Sequence, residues 1–150
     1  MNREAEIVLA EIEALHQFFE RWFTGSCERS EAVFQTGLSE RFSDDAVLIQ
    51  PNGRSLGKAA FCSAVQNGYG GSPEFRVKIR NLQLRPVSGA DAILATYEEW
   101  QCGAVNSTPP DNGRVATVLF QRGEADALIW THIHETWLPE ERYDAEAFDF

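Results

Sequence analysis

The sequence is poor in the residues that seek anionic partners. Only two of its 150 residues are lysine, Lys58 and Lys78, and 13 Lys+Arg stand against 23 Asp+Glu for a net charge of −10. The arginines are scattered along the chain, so no basic stripe exists to track a phosphate backbone, and the expectation is no nucleic acid and no anionic membrane surface as partner. Long apolar runs are absent too. No window reaches the roughly 18 apolar residues of a transmembrane helix, and the opening MNREAEIVLAEIEAL alternates acids with aliphatics where a secretory leader would carry a basic then apolar stretch. The three cysteines, Cys27, Cys62 and Cys102, are odd in number and contain no CxxC pair. That argues against a disulfide framework and predicts free thiols in a reducing, cytoplasmic setting. Glycine-rich phosphate loops, a GxSxG elbow and an HExxH metal signature are all missing. No cofactor is expected.

What is present is an ordinary globular balance, 43% apolar and 24% charged, which excludes a disordered chain. Val8, Ile12, Leu15, Phe19 and Trp22 step by four and three, predicting a helix over 4–24 with early acids and a left-handed stop at Gly25. Phe18 and Phe23 widen its apolar face. A second helix is expected near 30–41 with Ser30 as N-cap, although Gly37 interrupts it, and a third near 57–67. Between them 46–50 reads as a strand ended by Pro51-Asn52-Gly53. From Glu74 onward the chain reads as four strands. In the first, Phe75, Val77 and Ile79 alternate with Arg76, Lys78 and Arg80, and the apolar phase slips at Asn81-Leu82, the mark of a β-bulge or sharp bend. Residues 92–103, 114–121 and 127–138 complete the set, separated by the hairpin 88–91, an exposed loop over 106–113 and a turn at 122–124.

Three helices cannot cover both faces of such a sheet. The fold class is therefore α+β: three N-terminal helices packed on one face of a strongly bent antiparallel sheet, a cone-shaped α+β barrel open at one end. One domain is expected over 1–138, followed by an acidic tail over 139–150 in which Phe148 and Phe150 could dock. The other sheet face, bearing Trp100 and Trp130, is too apolar to remain wet, which predicts a homodimer.

In this order of elements the chain resembles the nuclear transport factor 2-like superfamily, the cone fold of ketosteroid isomerase, scytalone dehydratase and the SnoaL-like cyclases. The likeness is carried by Phe42-Ser43-Asp44-Asp45-Ala46, Gln50-Pro51-Asn52-Gly53, Gly57-Lys58-Ala59-Ala60-Phe61, the strand Tyr97-Glu98-Glu99-Trp100-Gln101 and the closing strand Trp130–Trp137. The last two segments look like a bacterial subgroup of unknown function. The resemblance implies a pocket inside the cone, but fold alone fixes no activity.

Ketosteroid isomerase chemistry, a carboxylate base with a tyrosine and a neutral aspartic acid, serves as a general template of tuned acids. The resemblance puts Gln50 in the base position and Phe18 in the tyrosine position, and the strand Val115–Phe120 has no acid for the third role. Gln50 binds without taking a proton. By strand parity Tyr97, Glu99 and Gln101 share one face, and the family pattern turns that face inward. The same pattern turns Thr131, Ile133, Glu135 and Trp137 inward. The expected pocket is then Gln50, Tyr97, Glu99, Gln101 and Glu135, walled by Phe18 and Trp22, suited to a small apolar ligand with a polar end. Glu99 and Glu135 are the candidate catalytic residues for proton transfer in isomerisation, dehydration or cyclisation. Against that stands a hydrogen-bonded carboxylate paired with Gln101 or with an arginine such as Arg114.

Two further patterns have simpler readings. Asp44-Asp45 suits a turn before the strand. His132-x-His134 puts two imidazoles on one strand face, which with a carboxylate would suit zinc or iron, but no third ligand stands at a recognisable spacing, and the expectation is no metal. The alternative places His132 and His134 with Trp100 on the outer face, at a dimer seam of a non-catalytic interaction domain.

Overall fold

The computed structural model describes residues 1–150, the side chain of Pro86 excepted. Helix α1 (Arg3–Thr24) begins where the Asn2 side chain accepts a hydrogen bond from the Ala5 amide at 2.8 Å. It ends at Gly25, whose φ of +74° lets its amide close back on the last turn. Helix α2 (Glu31–Gly37) starts at the Ser30 cap, stops at Gly37 and continues as a 3₁₀ turn over Ser39–Arg41. Glycine is required at the last position of α2 for a steric reason: a Cβ on Gly37 would lie 2.1 Å from the Phe18 ring, so only glycine lets α2 approach α1 there. Helix α3 (Lys58–Asn67) completes the helical layer.

The strands are β1 (Phe42–Ile49), β2 (Ser55–Gly57), β3 (Arg76–Pro86), β4 (Ala92–Cys102), β5 (Asn112–Arg122) and β6 (Leu128–Trp137), joined in one unclosed sheet of order β2-β1-β6-β5-β4-β3. The expected antiparallel sheet is mixed in one place, because β1 runs parallel to β6. The short β2, unread in the sequence, pairs with β1 across the Pro51–Gly53 turn. Asn112 and Gly113, read as loop, open β5 and pair with Gln101 and Trp100.

Two irregularities shape the sheet. Pairing between β3 and β4 slips between Arg80 and Gln83, where Asn81 takes a φ of +56° and donates to Glu98 at 2.8 Å. This is the break signalled by the phase slip. A second slip lies between Leu119 and Phe120, opposite Thr131, whose hydroxyl donates to the Leu119 carbonyl at 2.8 Å. It puts Trp130 on the same side as Ile133 and Glu135. Trp130 is thus wholly buried between Phe42 and Phe120 rather than on the outer face.

The main core lies between the helices and the inner face of the sheet. A smaller core lies on the outer face and contradicts the expectation of an open seam at Trp100. Leu138 and, from the chain's own tail, Tyr143, Ala147 and Phe148 close over Trp100, leaving it 1% exposed. Glu98 fixes the arrangement by accepting from Trp100 Nε1, Asn81 and Arg142. Lys78 and Arg80 of the cationic row on β3 are covered by the same segment, while Arg76 stays exposed and pairs with Glu20 of α1. Arg80 pairs with Asp144, and Lys78 donates to backbone carbonyls of Glu146 and Asp149.

No helix among the described residues is long and apolar enough to cross a membrane. All three cysteines are free and half-buried.

Candidate functional site

The cone encloses a cavity of about 330 Å³, inside the size range of small-molecule sites. One wall is aromatic, formed by Phe19, Phe23, Phe42, Phe61, Phe75 and Trp130. The polar lining comes from four elements: His16 of α1, Tyr97, Glu99 and Gln101 of β4, Arg114 of β5, and Glu135 of β6. Gln50, just after β1, and Asn106 and Ser107, from the loop after β4, add polar groups.

Each placement follows from local geometry. Alternation along β4 sends Tyr97, Glu99 and Gln101 into the cone while Glu98 and Trp100 go under the tail. Cross-strand pairing sets Glu99 opposite Arg114, and Ala116 opposite Glu135. On β6, His132 is half-buried and His134 exposed on the outward side, away from the cavity. No group of three or more His, Cys, Asp or Glu able to hold a metal occurs among the described residues.

Phe18 and Trp22, expected as cavity walls, face elsewhere. They stack on each other and pack edge-on or tilted against Phe34 of α2, and Trp22 donates its indole N–H to the Val65 carbonyl at 2.9 Å. Each residue turns a helix by about 100°, so the positions one further on, Phe19 and Phe23, meet the cavity instead. Trp137, also expected inside, is 38% exposed and carries the Arg114 guanidinium 4.8 Å above its ring.

The polar wall is an ion cluster. His16 Nε2 lies 2.7 Å from Glu99 Oε1, and His16 Nδ1 lies 2.7 Å from the Ile12 carbonyl oxygen. A carbonyl and a carboxylate both accept, so the ring is satisfied as an imidazolium that donates twice. Arg114 Nη1 donates to both Glu135 oxygens at 3.2 and 3.3 Å, while its Nε stands 3.6 Å from Glu99 Oε2, beyond hydrogen-bond reach.

These contacts split the two carboxyls. Burial would raise both. For Glu99, Arg114 and His16 outweigh burial and bring its pKa down to about 2. For Glu135, burial and the neighbouring charge of Glu99 prevail over Arg114 and His16, raising the pKa to about 7. Burial pulls the His16 pKa down, but the charge and hydrogen bond of Glu99 more than compensate and leave it raised. Desolvation and the two carboxylates push Tyr97 well above its usual value, so its hydroxyl stays protonated. The wall therefore holds a fixed carboxylate, two cations and one carboxyl that titrates near neutrality.

His16 was not expected from the sequence, whereas Arg114 was named there as a partner for a buried carboxylate and stands between Glu135 and Glu99. His16 falls beside the apolar stripe, four residues after Ile12, a spacing that admits an inward side chain. Its chemistry depends on Glu99, 83 residues away.

Residues 9–139 match the family model described as the sucrose-6-phosphate phosphohydrolase C-terminal family. The chain belongs to this family. Among curated relatives, sucrose-phosphatase 2 of Nicotiana tabacum is 28% identical over 134 residues, covering 85% of this chain and 30% of that protein. Sucrose-phosphatase 1 of the same plant is 26% identical, with the same coverage. This family domain thus spans about three-tenths of the length of those relatives. Among solved structures, an NTF2-like protein of unknown function from Pseudomonas aeruginosa superposes with a TM-score of 0.76 at 26% identity, covering 89% of this chain and 99% of its own. An NTF2-like protein from Cytophaga hutchinsonii gives 0.69 at 16% identity, covering 92% and 100%. The family domain has the nuclear transport factor 2-like fold.

Proposed function

We propose that the cone binds a small ligand with an apolar body and a polar head, and that Glu135 is the group that exchanges a proton with it. The observation carrying this reading is the division of one cavity into an aromatic wall and a wall of ionised side chains. Of the two carboxyls first considered for proton transfer, Glu99 is too acidic to accept a proton at neutral pH. Glu135, near 7, suits either direction of transfer. Glu99 then acts as a positioning residue, holding His16 and lying beside Arg114. Isomerisation, dehydration and cyclisation all fit such a single acid–base group. Native mass spectrometry of freshly purified protein, followed by denaturing release, tests the binding. A small extra mass that is lost on denaturation supports the reading. For a substrate found this way, unchanged turnover in Glu135→Gln rules out the catalytic role.

A second reading is a non-catalytic module, working within or beside a larger protein or as a homodimer. It is supported by the domain's match to only three-tenths of the sucrose-phosphatases it resembles. With Trp100 covered, the homodimer contact in this reading is the outward strip of β6 around His132 and His134. Sedimentation of His134→Glu tests it: a mass equal to the wild type's removes that strip from consideration.

A further inference from the structure

The Arg114 fork is under-used. The side chain is 13% exposed and lines the cavity, yet among the described residues only Nη1 donates a hydrogen bond, to Glu135. Nε is buried without a partner. A guanidinium has five N–H donors in a planar fork, and burying them unpaired is costly unless something else accepts them. Charge limits what that acceptor can be. Groups from every element around Glu135 count: His16 of α1 and Arg114 of β5 are cationic, Glu99 of β4 is anionic, and Tyr97 of β4 is neutral. With Glu135 ionised the wall is neutral; with Glu135 protonated it carries a single positive charge and a new O–H donor.

Building on the binding reading above, we infer that the cone takes a ligand with one carboxylate head, seated on the Arg114 fork, and that Glu135 takes up one proton from solvent as the ligand enters. A planar carboxylate matches the guanidinium fork, and its single charge matches the single charge the wall can expose. A dianionic phosphate would overfill that charge beside Glu99, which stays ionised. The aromatic wall receives the ligand's apolar body.

Phenylacetate, phenylacetamide and phenyl phosphate discriminate the possibilities by isothermal calorimetry at pH 6, 7 and 8, in two buffers of different ionisation enthalpy. Phenylacetate should bind about tenfold or more tighter than the amide at pH 6, because a charge-assisted pair replaces a neutral one. Its affinity should fall by up to about tenfold between pH 7 and 8, with uptake of about one proton per ligand at pH 8. Glu135→Gln should abolish both the uptake and that fall while retaining the preference for the acid. Arg114→Gln should abolish the preference, and Arg114→Lys, which keeps the charge without the fork, should weaken it if the glutamine variant does not fold. Equal binding of acid and amide overturns the carboxylate inference and leaves the cavity reading standing. Tighter binding of phenyl phosphate than of phenylacetate overturns it in favour of phosphate, and acid binding without proton uptake at pH 8 overturns the coupling to Glu135. Failure of all three probes to bind overturns both readings.

Discussion

Glu99 and Glu135 are the same residue type on neighbouring parts of one wall, yet their environments give them opposite behaviour. Folding stabilises the ionised form of Glu99 and the protonated form of Glu135. The Glu135 contribution is therefore fully present below about pH 4.5 and lost as the pH rises through 7, and the shift from 4.5 to about 7 corresponds to roughly 3 kcal/mol. Glu99 runs the other way: its contribution is present above about 4.5 and lost as the pH falls toward 2. Urea unfolding of Glu135→Gln should accordingly lack the stability decline that the wild type shows between pH 5 and 6.5, below the range in which His16 adds a decline of its own; an unchanged decline there would locate the titrating group elsewhere. His16→Leu leaves Glu99 buried with one of its cationic partners gone. It should cost about 3 kcal/mol at pH 7, measured by the same unfolding curves. Strand parity made Glu99 and its neighbours legible as one face, because a strand's alternation is local. The His16 pairing was hidden, because nothing local to a helix says which carboxylate lies across the core.

Among the elements, the two bulges show what a pattern can and cannot reveal. At Asn81 the apolar residues change parity, and asparagine is among the few side chains that accept a φ of +56°. Asn81→Val should therefore cost about 1–3 kcal/mol in thermal or urea unfolding, combining backbone strain with loss of the bond to Glu98, while Asn81→Gly should cost less. At Thr131 both parities offer plausible inward residues, Trp130 and Ile133, so the slip left no trace in the pattern and Trp130 was read on the wrong face. Helix α1 posed a related problem. Its apolar arc is wide enough to serve two surfaces, and the sequence does not say which aromatic pair meets α2 and which meets the cavity. Gly37 decides that question sterically. Gly37→Ala forces a methyl into the Phe18 ring, and a loss of about 1–3 kcal/mol in unfolding free energy is expected.

The molecule as a whole has two cores, one inside the cone and one outside it under the tail. The outer one was legible only in its ingredients: an apolar patch around Trp100, a cationic row on β3, and an acidic tail with aromatics. A second copy was expected on the patch, but the chain supplies its own cover. The tail over 139–150 holds four of the ten net negative charges, so it also neutralises the row formed by Lys78 and Arg80. Ending the chain after Leu138 should uncover Trp100, shift its fluorescence to longer wavelength and promote association detectable by light scattering. A monodisperse truncated chain with unshifted emission would mean that the tail contributes little to closing this face.

The contact between Arg80 and Asp144 joins positions 64 residues apart. A substitution on β3 thus alters the footing of the tail, and a substitution in the tail alters what β3 exposes. Among homologues, the two segments should consequently drift together: a chain that loses the acid at 144 is expected to have given up the arginine at 80 as well, or to have lost its tail.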